Sequence, residues 1–171
     1  NNGGDGFEAA RLLRTSRRVG RVSVLLLGAR ERVGGDAAET LLRLEQEGGR
    51  VVAVDAEAGL EPLRGATMVV DALFGTGLSR PLDAEGLAAR AARLASTRRA
   101  FVVSVDLPSG LDAGSGALVG PHVRADLTVT FGAPKLAHLL LPAAAFCGRV
   151  VVADIGLLPV GSPVVGPEAV T

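Results

Sequence analysis

Two aspartates in this chain close apolar runs. Asp71 follows Thr67-Met68-Val69-Val70, and Asp106 follows Phe101-Val102-Val103-Ser104-Val105. Each opens a glycine-containing turn: Asp71-Ala72-Leu73-Phe74-Gly75-Thr76-Gly77-Leu78-Ser79-Arg80-Pro81, and Asp106-Leu107-Pro108-Ser109-Gly110-Leu111-Asp112. A carboxylate there is costly unless it is solvated, paired or bound to a cation. One such residue could cap a helix; two point to a polar site. The opening residues, Asn1-Asn2-Gly3-Gly4-Asp5-Gly6, set carboxamides, glycines and a carboxylate directly ahead of a helix-like run from Phe7. Glycine lets the backbone come close to a ligand and take positive φ, and the free N–H groups of a helix start suit a phosphate. Lys135, after Gly132-Ala133-Pro134, is the only lysine in a chain whose other basic side chains are arginines. A lone ammonium in that setting reads as facing a ligand.

The elements that must position these residues alternate. Apolar runs at Val22–Leu27, Val51–Val54, Thr67–Val70, Phe101–Val105, Leu127–Thr130 and Val150–Ala153 read as strands. Amphipathic stretches at Asp36–Glu47 and Asp83–Ala95, with the run from Phe7, read as helices. The strands are continuous apolar runs, as expected when helices cover both faces of a sheet. Strand–helix alternation then implies a parallel sheet with right-handed crossovers. The expected fold is a three-layer α/β/α sandwich, Rossmann-like and mostly parallel. In such folds a strand leads into the glycine loop, so a first strand is expected ahead of Asn1. Ligands in open parallel sheets bind beyond the carboxyl ends of the strands, where both aspartate loops fall. Residues 1–156 read as one domain, and the Pro/Gly/Val-rich stretch 157–171 as a linker.

Composition narrows the function classes. Hydrophobic residues make up 48% of the 171, which excludes a disordered chain. Basic and acidic residues balance at 18 each, and aromatic residues are 3%, with no Trp or Tyr. That argues against a nucleic-acid surface. No apolar run reaches membrane-spanning length, so a cytoplasmic location is the default expectation. The single Cys147, in Ala-Phe-Cys-Gly, cannot form an internal disulfide and reads as a small core residue.

Four segments in order resemble a known family: Asn-Asn-Gly-Gly-Asp-Gly, Val-Val-Asp-Ala-Leu-Phe-Gly-Thr-Gly, Val-Asp-Leu-Pro-Ser-Gly-Leu-Asp and Thr-Phe-Gly-Ala-Pro-Lys. Together they look like the NAD(P)H-hydrate epimerase family, also called the YjeF N-terminal domain. The resemblance implies an isomerase that interconverts the R and S hydrates of NADH and NADPH (NADHX and NADPHX), and one bound potassium ion. By position it implies potassium ligands at Asn2, Asp71 and Ser109. Substrate contacts would come from Asn1, Asn2, Gly3, Gly4 and Asp5, from Gly75, Thr76, Gly77, Leu78, Ser79, Arg80 and Pro81, and from Asp106. It also leaves room for a homo-oligomer and for a fused ADP-dependent NAD(P)HX dehydratase domain after the linker. Glu8, where a small or apolar residue is expected, and Ala137, often glycine in the family, depart from the pattern.

Inverting a hydrated ring carbon needs an acid/base group, and Asp106 is the candidate, with Asp5 in reserve. Lys135 is read as touching phosphate or the ring hydroxyl. Other residues carry structural readings. His122 and His138 lack metal spacing and read as surface or helix residues. Asp36 reads as a helix N-cap, Asp112 as a brace for the Ser109-Gly110 turn, and Asp154 as a brace at a strand end. Arg80 is a further phosphate candidate. Two rivals stand beside the epimerase. A nicotinamide dehydrogenase needs Gly-x-Gly-x-x-Gly after a strand and an acidic residue about 20 positions on, which Asn1–Gly6 and Asp55 do not supply. A non-catalytic scaffold of the same fold would have little reason to keep Asn2, Asp71, Asp106 and Ser109.

Overall fold

The computed structural model describes residues 3–78, 81–97 and 100–156. The helices are α1 (Gly3–Thr15), α2 (Asp36–Gln46), α3 (Glu61–Arg64) and α4 (Leu87–Ala95). The strands are β1 (Val24–Leu27), β2 (Val51–Val54), β3 (Met68–Asp71), β4 (Phe101–Val105), β5 (Leu127–Phe131) and β6 (Arg149–Ala153). All described pairings between these strands are parallel. β1 pairs with β2, and β3, β4, β5 and β6 pair in that order, with Asp71 opposite Ser104 and Val105 opposite Val129.

The layering follows from strand alternation. Val24 and Leu26 of β1 pack against Phe7 and Ala10 of α1 and Leu41 and Leu44 of α2. Leu25 and Leu27, on the opposite face, join Leu63 of α3 and Leu87, Ala91 and Leu94 of α4. One strand thus needs apolar residues at every position, because both faces are covered. On the neighbouring strand, Val102 of β4 meets Ala92 of α4 and Val123. The α/β/α expectation is met. No helix among the described residues is long and apolar enough to cross a membrane.

The sheet is in two parts. β1 and β3 both line a cleft of ≈ 940 Å³, together with Gly3, Gly6 and Phe7 of α1 and Ala91 and Ala95 of α4. Among the described residues, neither strand has a partner on its second edge.

Helix ends explain most of the boundary differences. α2 buries Ala37, Leu41 and Leu44 and stops at Gly48, whose φ is +78°. There Gly49 N–H donates to Leu44 C=O (2.8 Å) and Gly48 N–H to Glu45 C=O (2.9 Å), a glycine-based C-terminal cap. Asp36 is not its N-cap: Gly35 holds that position, and Asp36 sits in the first turn, where its charge suits the helix dipole. α4 starts at Leu87 rather than Asp83, because Asp83 forms its own turn by accepting from Glu85 N–H at 3.1 Å.

The opening glycines also differ from expectation. Gly3, Gly4, Asp5 and Gly6 form the first turns of α1 rather than a loop, and these glycines are not among the positive-φ residues. A Cβ on Gly6 would come 2.7 Å from Ala72 Cβ, and one on Gly4 would lie 3.5 Å from Thr40 and from the Ala37 backbone. Glycine here permits close packing of α1 on the segment after Asp71 and on α2.

Candidate functional site

The carboxyl ends of β3, β4 and β5 bring the chemistry-bearing residues together. Asp71, the last residue of β3, is 3% exposed. Its Oδ2 accepts from Ser104 Oγ (2.9 Å) and Ser109 N–H (2.8 Å), and its Oδ1 from Ser109 Oγ (2.6 Å). Ser109 Oγ in turn accepts from Phe74 N–H at 3.0 Å and lies 3.3 Å from Phe74 C=O. Burial pushes the Asp71 carboxyl above the ordinary range, and the hydroxyl and backbone donors oppose it. Those donors are neutral, so the buried negative charge has no basic side chain to offset it among the described residues. Carboxylate, hydroxyl and carbonyl oxygens gathered around an uncompensated charge fit a potassium ion, whose hydration shell such oxygens replace.

Asp106 follows β4 directly and is the only described non-glycine residue with positive φ, at +66°. Leu107 N–H donates to Val105 C=O at 2.8 Å, closing a γ-turn around it. That conformation is strained, by about 1–3 kcal/mol for a non-glycine residue, and is kept only where surroundings enforce it. Asp106 N–H donates to Val129 C=O at 2.7 Å, and Asp106 C=O accepts from His138 Nε2 at 3.0 Å. On the side chain, Oδ1 accepts from Lys135 Nζ and from Thr130 Oγ1, the latter at 2.9 Å. No donor reaches Oδ2 among the described residues. Lys135 Nζ also donates to Thr130 Oγ1 (2.7 Å) and Phe131 C=O (3.2 Å), so the lone lysine is an ion-pair partner of Asp106.

Asp5, exposed on the first turn of α1, has its carboxyl raised by partial burial and then by the negative charge of Asp106. The two candidate acid/base carboxylates therefore share one field. Gly75, Thr76, Gly77 and Leu78 form a turn closed by Leu78 N–H to Gly75 C=O at 3.2 Å, with Thr76 and Gly77 exposed. The Phe74–Ser109 bond ties that turn to the Asp71 cluster. Pro81 is exposed. Asn1, Asn2, Ser79, Arg80 and the stretch 157–171 lie outside the described residues.

Sequence reasoning missed Thr130, Ser104 and His138. Each carried a signal: Thr130 is one of two buried threonines two apart in β5, Ser104 is a hydroxyl alone in the apolar run of β4, and His138 is a histidine three residues after the only lysine. Of the surface or helix reading, the helix holds: His138 ends the short helical turn 136–138, and it is 3% exposed, its ring bonded to the Lys135 amide and the Asp106 carbonyl. His122 stays outside this cluster; its ring packs edge-on to Phe146 at 4.2 Å. Asp112 does not brace the Ser109-Gly110 turn. It accepts from Ser115 N–H (2.7 Å) and Oγ (2.6 Å) in the next turn, which hold its carboxyl low. Asp154 likewise serves its own turn, accepting from Gly156 N–H at 2.8 Å. Cys147 is fully buried, and burial pushes its thiol up to about 11, as an inert core residue requires.

Residues 1–137 match the family described as YjeF-related protein N-terminus. The chain is 44% identical over 158 residues to a protein of Thermofilum pendens named bifunctional NAD(P)H-hydrate repair enzyme Nnr, covering 91% of this chain but 29% of that protein. It is 38% identical over 157 residues to the NAD(P)H-hydrate epimerase of Oenococcus oeni, covering 92% of this chain and 70% of that protein. The crystal structure of yeast ynu0 (YNL200c) shares the fold, with a TM-score of 0.57 at 19% identity over 92% of this chain and 79% of that one. The chain thus spans less than a third of its bifunctional relative and most of its single-activity relative. By the match over its first 137 residues, which carries all four ordered segments, this chain belongs to the YjeF-related protein N-terminus family.

Proposed function

We propose that this chain is an NAD(P)H-hydrate epimerase, interconverting the R and S epimers of NADHX and NADPHX. The observation that carries this reading is the Asp106–Lys135 pair. One oxygen of Asp106 is fixed by Thr130 and Lys135, while the other has no donor among the described residues. A general acid/base needs that layout: a fixed carboxyl with one oxygen available to a substrate hydroxyl.

The substrate hydroxyl sits on C6 of a hydrated, reduced nicotinamide ring. The C6–O bond breaks as the ring-nitrogen lone pair moves into the N–C6 bond, and the hydroxyl leaves as water with a proton from the acid. Water then adds to the opposite face of C6 and returns a proton. No net electrons are exchanged, so no oxidant is needed. Asp106 carries the proton in this scheme, with Asp5 in reserve. Lys135, whose ammonium donates to Asp106, Thr130 and Phe131, keeps Asp106 aimed. Asn1–Asp5 and Gly75–Pro81 are the proposed substrate contacts.

Asp71 and Ser109, with Asn2, are the proposed holders of a potassium ion, which would supply a fixed positive charge against Asp71 and the dinucleotide phosphates. The bifunctional relatives fit an arrangement in which a fused ADP-dependent NAD(P)HX dehydratase follows this unit, with 157–171 as linker. The test is conversion of R-NADHX to S-NADHX, followed by NMR or chiral chromatography, in potassium and then in sodium or choline. Conversion that is lost in folded Asp106→Asn supports the reading. Absence of conversion by the folded wild-type chain overturns it.

A further inference from the structure

His138 is a buried titratable group that the proposed reaction leaves unused. It is held at both ring nitrogens. Nδ1 lies 3.0 Å from the backbone N of Lys135, and Nε2 lies 3.0 Å from the backbone oxygen of Asp106. An amide N–H can only donate and a carbonyl can only accept. Nδ1 is therefore the acceptor, and Nε2 carries the proton. The partners fix one tautomer, neutral Nε2–H, and exclude the imidazolium, whose Nδ1–H would oppose the Lys135 amide. Burial, which pushes the imidazole below its ordinary range, acts in the same direction.

The two backbone groups belong to the two members of the ion pair. Asp106 sits in a positive-φ turn that must be enforced from outside, and His138 binds the carbonyl of that turn. Lys135 lies at the start of the short helical turn 136–138, and His138 binds its amide. One rigid ring thus spans the two backbones whose side chains meet at Asp106 Oδ1.

We propose that His138, as the neutral Nε2–H tautomer, is the positioning residue that sets Asp106 and Lys135 against each other. For its catalytic consequence the inference rests on the epimerase reading; its structural core does not. A ring that only fills space would be replaced by Phe without effect on the pair. A ring that positions would not, since a displacement of ~1 Å costs of order 100-fold in rate.

Two measurements test it. In the full chain, nitrogen-15 NMR of the two histidines, assigned with His122→Gln, reads the tautomer at pH 7. An unprotonated, hydrogen-bonded Nδ1 in His138 is expected; a protonated Nδ1 overturns the proposal. Because Lys135 is the only lysine, carbon-13 lysine labelling reports its ammonium alone. Its Cε resonance is expected to move in His138→Phe, which removes both bonds, and less in His138→Asn, which keeps an acceptor near Nδ1. An unmoved resonance in folded His138→Phe overturns the proposal.

In the epimerase assay, His138→Phe is expected to lose about 10–100-fold in kcat with KM within about threefold, and His138→Asn to lose less. Wild-type kcat in His138→Phe overturns the positioning role. If the wild-type chain does not epimerise NADHX, the functional reading fails, while the two NMR results still decide the inference.

Discussion

Lys135 and Asp106, 29 residues apart in sequence, meet at the carboxyl ends of adjacent parallel strands, where the ammonium donates to Asp106 Oδ1. Thr130, the penultimate residue of β5, bonds both partners. Three oxygens, from Asp106, Thr130 and Phe131, surround one nitrogen with three protons. The pair is partly buried, so its geometry is set by packing as well as by charge.

Asp106→Asn keeps the shape and removes the titratable proton. Its kcat for epimerisation is expected to fall about 10²–10⁴-fold, the usual worth of a general acid/base. Steady-state kinetics on protein with an unchanged circular dichroism spectrum checks this.

Lys135→Met removes a charged hydrogen-bond donor from a partly buried site and is expected to destabilise by about 1.5–3 kcal/mol. Lys135→Arg is expected not to rescue activity, because a planar guanidinium does not fit three converging oxygens as a point-like ammonium does. Urea denaturation reads the first effect, and the NADHX assay the second.

Asp71→Asn is expected to fold. The new amide can donate to Ser109 Oγ while that hydroxyl turns to Phe74 C=O, 3.3 Å away. Wild-type Tm should rise with potassium over choline, by the equivalent of about 2.7 kcal/mol at a hundred times Kd. In Asp71→Asn the rise should vanish. Equal rises in both proteins would remove Asp71 from the ion site.

The pH dependence of stability follows from His138. Its folded-state pKa lies below the ordinary value of 6.5, chiefly through burial and also through the charge of Lys135, against the Asp106 carbonyl bond. The folded state thus prefers the neutral ring. Its contribution is fully present above 6.5 and is lost as pH falls through 6.5 toward the folded value. Asp5 and Asp71, whose pKa values are raised, act with the opposite sign in the carboxyl range. Wild-type stability minus that of His138→Phe should therefore shrink between pH 7.5 and pH 5.5, a window about one unit either side of the histidine reference. A constant difference would count against this assignment.

Gly6→Ala gains helix propensity worth about 1 kcal/mol but brings a methyl 2.7 Å from Ala72 Cβ. Overpacking costs about 1–3 kcal/mol, so the variant is expected to be less stable than wild type. The strain falls beside Asp71, so the potassium-dependent rise in Tm is expected to weaken as well. A thermal melt in both salts checks both effects.

What the sequence determined by itself is local. Continuous apolar runs require a sheet covered on both faces, which settled a parallel α/β fold before any contact was known. Asp71, Asp106 and Lys135 were conspicuous because a charged group ending an apolar run, or a single lysine among arginines, needs a reason. Tertiary structure decided the partners. Strand order and register bring Ser104 opposite Asp71 and set Lys135 beside Asp106, and neither is written in one segment alone. His138 read as a surface or helix residue because nothing local distinguishes a histidine whose second ring nitrogen binds a backbone 32 residues away. The opening glycines show the same limit. Their composition suits a flexible ligand loop, yet the close approach of Ala72 and α2 makes them a tightly packed helix start. Packing distance, not composition, decides which use a glycine serves.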